Sequence, residues 1–242
     1  MLNGSTFYHG LIRQTIVAFG RLFSDIKIPR YDNNGALQQT VAVPIAYAPK
    51  EKWIVRIESD PNLTQHTYTV LPRLSFEITG YSYDSLRKLN RMQKISCVDG
   101  EDNSIRMDTF TPVPYNLDIS LYALTKNTED GLAIVEQILP TFTPEYTLAI
   151  NAIDSMNIIN DVPIILNSVT VQDDYDGDFN TRRFVTHTFN FTAKMNLFGS
   201  ISNVGLINDV TANINQGGNT FRKYNATQTT PIDDIDENWS DV

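Results

Sequence analysis

The sequence predicts an α+β fold: a mixed, mainly antiparallel β-sheet with two main helices packed against it and an extended C-terminal arm. Three observations carry this expectation. Two segments space their apolar residues as helices do, about eight short segments alternate as strands do, and the polar, acidic end does neither. At 242 residues with ordinary apolar content, the chain can bury a sizeable core in one large domain or two small ones. The composition shift after Gly199 sets the expected division: a domain over 1–199 and an arm over 200–242.

The first helix is read between Phe7 and Phe23, where Tyr8, Ile12, Ile16, Phe19 and Phe23 recur at steps of four, four, three and four. Arg13 and Arg21 fall off that stripe, and Ser5 or Thr6 is the expected N-cap. Residues 24–80 follow as strands, IKIPRY, VAVPIAY, WIVRIES and YTVLPRLSFEIT, broken by turn residues. In the last, Leu74, Phe76 and Ile78 alternate with Arg73, Ser75, Glu77 and Thr79, one face buried and one wet. Pro72 has no ladder N–H to donate and points to an edge or a bulge.

Residues 84–110 are polar and turn-rich, and a long exposed loop is expected there. VPYNLDISLYALT resumes a strand with Tyr115, Leu117, Ile119, Leu121 and Ala123 on one face. NTEDGLAIVEQILP is the second helix, capped by Asn127 or Thr128 and stopped by Pro140, with Leu132, Val135, Ile138 and Leu139 turned to the core. A short strand is expected around Tyr146–Ile150. VPIILNSVTVQ switches its apolar parity between Leu166 and Val169, the mark of a bulge or of burial on both faces. FVTHTFNFTAKMNLF alternates cleanly from Val185 to Leu197.

Those last two strands flank QDDYDGDFNTRR, which sets Asp173, Asp174, Asp176 and Asp178 beside Arg182 and Arg183. A calcium loop of the EF-hand type needs an oxygen ligand at its first position and a bidentate glutamate at its twelfth. With Gly177 at the sixth, those places hold Gln172 and Arg183. A catalytic acid pair needs a pocket that separates the two pKa values, and a hairpin tip is solvated. What remains is an Asp- and Gly-rich turn whose charge calls for compensation, by its own arginines or by cations on another chain. A calcium-dependent protein-binding module is the alternative class.

A formal net charge of -9 disfavours sequence-independent binding to nucleic acid, and no run approaches the roughly 20 apolar residues of a membrane span. The N-terminus has no signal-like core, so a soluble, unexported protein is expected. Arg87, Lys88, Arg91 and Lys94 form a modest basic group suited to protein partners. Cys97 is the lone cysteine and reads as a buried thiol. No phosphate loop, zinc-protease or nucleophile-elbow motif is present, and no cofactor is implied. Of the three histidines, His187 falls on an apolar strand face and reads as a hydrogen-bonded core residue. The segment after Gly199 is too polar to fold by itself and would order by lying on a partner or a sister subunit, with Ile232, Ile235 and Trp239 as anchors.

Read together, FYHGLIRQTIVAFGRLFSDIKI, VPIAYAPKEKW, LPRLSFEITGYSYD, PVPYNLDISLYALTKNTEDGLAIVEQILPTFTP, VPIILNSVTVQDDYDGDFNTRR and FTAKMNLFG, in one order across residues 7–199, resemble the tail sheath stabilizer and completion proteins of T-even-like contractile-tailed phages, including cyanophages. The resemblance implies a tail-terminator-like fold and a non-enzymatic virion protein. It further implies a homo-hexameric ring at the head-proximal end of the tail, contacting sheath, terminator or tube and neck proteins, with DNA passing unbound through its channel. The 84–110 segment and the polar tail are not among the matching stretches.

Overall fold

The computed structural model describes residues 6–32, 35–52, 71–98, 105–174, 184–205, 209–216 and 219–227. In chain order the elements are α1 (Leu11–Leu22), β1 (Lys27–Tyr31), β2 (Leu37–Ala42), β3 (Ile45–Tyr47), β4 (Arg73–Tyr83), β5 (Lys94–Val98) and β6 (Ile105–Phe110). They continue with β7 (Val113–Thr125), α2 (Thr128–Ile138), β8 (Glu145–Ile153), β9 (Ile158–Asp174), β10 (Phe184–Leu197), β11 (Ser202–Gly205), β12 (Asp209–Gln216) and β13 (Asn219–Thr227). Two compact units result: Phe7–Asn90 with Pro112–Phe198, and a smaller one built on Arg91–Thr111 and the segment from Gly199.

The larger unit is organised by a six-stranded sheet in the order β3-β4-β7-β10-β9-β8. Every pairing is antiparallel except β3 with β4. The central strands bury one face as their alternation predicts: Leu117, Ile119, Leu121 and Ala123 on β7 lie beside Val185, His187, Phe189, Phe191, Ala193 and Met195 on β10. The parity switch in β9 is a bulge. Asn190 pairs with Ser168 and Phe191 with Leu166, which leaves Asn167 as the extra residue.

Two sequence expectations about β4 change. Pro72 precedes the strand instead of interrupting it, and β4 lies between β3 and β7, so it is not an edge. Its bulge falls at Thr79, between the pairs Ile78–Ile119 and Gly80–Asp118. Ser75, expected on the wet face, is fully buried. The strand expected in WIVRIES and the start of YTV lies outside the described residues.

Both helices pack on the apolar face, each rotated from its expected stripe. In α1 the buried residues are Leu11, Thr15 and Phe19, and Tyr8 is exposed. The core-facing row runs in steps of four from Leu11 to Phe23, and Thr15 belongs to it because its hydroxyl donates back to the Leu11 carbonyl at 2.9 Å. Gly10, at φ 69°, stands immediately before the helix in place of the expected Ser5 or Thr6 cap. Farther along, Gly20 lets the helix settle on the sheet, since a Cβ there would sit 3.3 Å from Phe76 Cζ. Phe19 meets Phe76 and Phe191 with ring centroids 5.2 and 5.3 Å apart, and Phe142 meets Phe191 at 5.1 Å. Aromatic pairs at such distances contribute about 0.5–1.5 kcal/mol each beyond area burial.

In α2 the inward residues are Asp130, Gly131, Ile134 and Ile138, while Leu132 and Leu139 are exposed. A polar and a side-chain-free residue hold the places where the sequence pattern expects leucine. Asn127 is the N-cap, as read, although its side chain makes no capping hydrogen bond.

The smaller unit replaces the loop expected at 84–110 with two strands. β5 pairs with β6, β6 pairs with β11, and β12 and β13 form a separate hairpin. The polar segment after Gly199 therefore contributes three strands among the described residues. Antiparallel ladders satisfy backbone groups without apolar side chains, a contribution that composition alone does not display.

Candidate assembly interface

The β9–β10 ladder carries Asp173 and Asp174 to its end. Asp173 pairs with Val185 and Asp174 with Phe184, and the exposed residues Val171, Gln172 and Asp173 carry β9 out of the core. Asp176, Asp178, Arg182 and Arg183 lie outside the described residues, as do Ile232, Ile235 and Trp239.

The face of the sheet opposite the helices is a network of polar side chains running across four strands. Asn167 Nδ2 donates to Thr192 Oγ1 at 2.7 Å, and Thr192 Oγ1 donates to Asp118 Oδ1 at 3.0 Å. A second row runs from Ser120 Oγ to Asn190 Oδ1 and from Asn190 Nδ2 to Ser168 Oγ, each at 3.1 Å. Tyr122 donates to Glu77 Oε1 at 2.9 Å, and burial, then the neighbouring carboxylate, pushes its phenol up to about 12. At that end Leu71 packs on Tyr122 and Leu124. A helical turn at 50–52 lies at that end, with Lys50 Nζ 5.9 Å from the centre of the Tyr122 ring, and Ser75, Ser120, Tyr122 and Leu124 are buried there. The rest of the face, from Asp118 and Thr192 to Asn167 and Ser168, is at least partly exposed. It is suited to meeting another protein through hydrogen bonds more than through apolar burial.

The turn after β4 is held from beneath. Arg87 Nε donates to Asp84 Oδ2 at 2.8 Å, and its other nitrogens reach the Tyr115 carbonyl, Asn116 Oδ1 and Asn196 Oδ1 at 3.3–3.4 Å. The guanidinium holds the Asp84 carboxyl below the usual carboxylate range. Tyr81, Tyr83, Leu86 and Leu89 are exposed around this clamp, Leu86 at 96 %. The basic group expected from the sequence is thus broken up, because Arg87 points inward and Lys94 sits 3.7 Å from Asp108. Within the smaller unit Asp108 also accepts two hydrogen bonds from Arg106, at 2.8 and 3.0 Å. Arg106 first, then Ser96, lower its carboxyl pKa.

α2 is fixed to its surroundings by polar contacts. Arg30 of β1 clasps Asp130 with two hydrogen bonds of 2.5 and 2.7 Å, and Asp130 is buried while Arg30 keeps one side in solvent. Gln137 exchanges hydrogen bonds with the Lys27 backbone, donating to its carbonyl at 2.9 Å. His187 is buried as read, but among the described residues its Nδ1 has no hydrogen-bond partner. Burial lowers its pKa, so the ring is held neutral. Cys97, expected to be buried, is half-buried.

The family model of the T4-like virus Myoviridae tail sheath stabiliser matches residues 6–242. The chain belongs to this tail sheath stabiliser family. It is also 27% identical over 192 residues to the tail completion protein gp15 of Enterobacteria phage T4, across 76% of this chain and 69% of that protein. The family match runs through residues 84–110 and the tail after Gly199, both beyond the stretches that carry the resemblance in the sequence. Neither finding supports the calcium-module alternative.

For a tail sheath stabiliser the informative residues are those that shape surfaces, and pattern reading missed several. Asp130 and Gly131 were hidden by the leucines beside them, and Arg87 by its apparent membership of a basic cluster. A usable signal was present in one case: a glycine inside an otherwise strong helix, which costs about 1 kcal/mol against alanine, implies a close approach.

Proposed function

We propose that six copies of this chain close into a ring at the head-proximal end of a contractile tail. The ring caps tube and sheath and presents a surface to neck proteins. The single observation that carries this reading is the family match over residues 6–242. Two features of the molecule support it: partly exposed rows of hydrogen-bonded polar side chains on one sheet face, and exposed Tyr81, Tyr83 and Leu86 on a turn clamped by Arg87. Its work is holding interfaces, not catalysis. The net charge of -9 suits a channel through which DNA slides without adhering, and assembly takes place in the host cytoplasm before the ring becomes part of the virion at the tail–neck junction.

Within the ring the acidic turn, Asp173, Asp174, Asp176 and Asp178 with Arg182 and Arg183, meets a neighbouring chain, and the C-terminal arm lies on a partner. Native mass spectrometry with electron microscopy tests the reading, the expected species being a six-fold ring. A monomer at all concentrations, alone and with purified tails, would overturn it. Asp174→Lys with Asp176→Lys is expected to leave the monomer folded and to impair ring formation or docking. Unchanged assembly would remove the turn from the interface.

A further inference from the structure

Beside the outer edge of the large sheet runs a groove of ≈ 880 Å³ between α1 and β8. β8 ends the strand order, so its outer edge pairs with no other described strand. The walls are mostly apolar, with Val17 and Tyr146 exposed in them; Gln14 and Asn151 are the uncharged polar residues of the lining, and its charged groups are Arg13 and Arg21. No carboxylate lines the groove. The two arginines are eight residues apart on α1, which sets them roughly 12 Å apart on one side of the helix. Neither makes an ion pair among the described residues. An apolar trough with two unpaired cations and a free strand edge calls for an occupant that is apolar and acidic together.

This chain supplies such a segment. Residues 228–242 carry Asp233, Asp234, Asp236, Glu237 and Asp241, no Lys, Arg or His, and three large apolar residues, Ile232, Ile235 and Trp239. We propose that the α1–β8 groove receives the acidic C-terminal segment of a second copy of this chain. Ile235 and Trp239 enter against Val17 and Tyr146, and the carboxylates meet Arg13 and Arg21. Each copy gives one segment and receives one, a head-to-tail contact that closes when copies are arranged around an axis. The inference rests on the oligomeric reading above and specifies one of its contacts.

The test uses the full chain with Cys97→Ser and two differently tagged copies, one carrying Val17→Cys and the other Ile235→Cys, mixed and treated with a short bismaleimide. A covalent dimer bearing both tags is expected, with neither copy crosslinking alone. Arg13→Glu with Arg21→Glu on the groove copy should lower its yield about tenfold, and Asp233→Lys with Asp234→Lys on the other should restore it. Circular dichroism verifies the fold of each variant, and Gln14→Cys with Trp239→Cys replaces the first pair if that pair unfolds. A ring in native mass spectra without the mixed dimer overturns the docking and leaves the ring standing. Monomers throughout overturn both. A mixed dimer insensitive to the charge reversals overturns the assignment of Arg13 and Arg21.

Discussion

Gly131 of α2 lies against the imidazole of His187 on β10, so closely that a Cβ would overlap Cε1 and sit 2.7 Å from Nδ1. The helix approaches the sheet at this point because it has no side chain, and the histidine fills the space that a leucine would have taken. Gly131→Ala gains helix propensity worth about 1 kcal/mol and still should destabilise the protein, because overpacking a rigid core costs roughly 1–3 kcal/mol. Chemical denaturation checks the sign. In a His187→Ala background the same substitution should lose its cost, since the two residues share one space.

The same buried ring predicts a pH dependence. His187 is held neutral by burial, so its folded pKa lies below the 6.5 of the unfolded chain. Below 6.5 the unfolded state binds a proton that the folded state refuses, and stability falls as pH drops from there toward the folded pKa. Above that window the term is absent. Melting temperatures between pH 5 and 8 should show the decline in the native protein and a weaker one in His187→Gln.

Arg30 and Asp130 form the second anchor of α2. Truncating the arginine leaves a buried carboxylate with its two hydrogen bonds unmade, and a stranded buried group costs about 1–3 kcal/mol. Arg30→Ala is therefore expected to lower the melting temperature more than Asp130→Asn with Arg30→Met, which removes the charge and its partner together. Arg30→Lys should recover only part of the loss, because an ammonium cannot match the carboxylate with a two-pronged contact.

Where burial follows apolar spacing, the structure was legible in the sequence. β10 has the expected residues inward at every step from Val185 to Met195, and the parity switch of β9 marked the bulge at Asn167. Legibility failed where polar residues point inward. Thr15 sits in the core row of α1 because its hydroxyl has a backbone acceptor, and Asp130 in that of α2 because Arg30 pairs with it. Neither partner is visible to a helical wheel. The strands after Gly199 escaped for another reason: β11 is held by the ladder it shares with β6, about a hundred residues away in sequence. A deletion beginning at residue 200 would thus strip a strand from β6, whereas one beginning after Thr227 removes none of the described strands.

The clamp beneath the turn after β4 separates folding from presentation. Arg87 ties Asp84 to the carbonyl of Tyr115 and the amides of Asn116 and Asn196, all of them part-buried and outside the apolar core, so its loss should leave the core of the sheet intact. The turn itself loses every side-chain contact that Arg87 gives it. Arg87→Ala is expected to keep the circular dichroism spectrum and a melting temperature close to that of the parent, while trypsin cleaves after Lys88 severalfold faster. If the exposed Tyr83 and Leu86 serve as a contact between chains, assembly should weaken in parallel with that cleavage. Sedimentation velocity of Arg87→Ala beside Leu86→Ser distinguishes the two effects. A turn made mobile with assembly unchanged would show that the clamp serves only local stability, whereas loss of assembly in both variants would show that the turn is part of the interface.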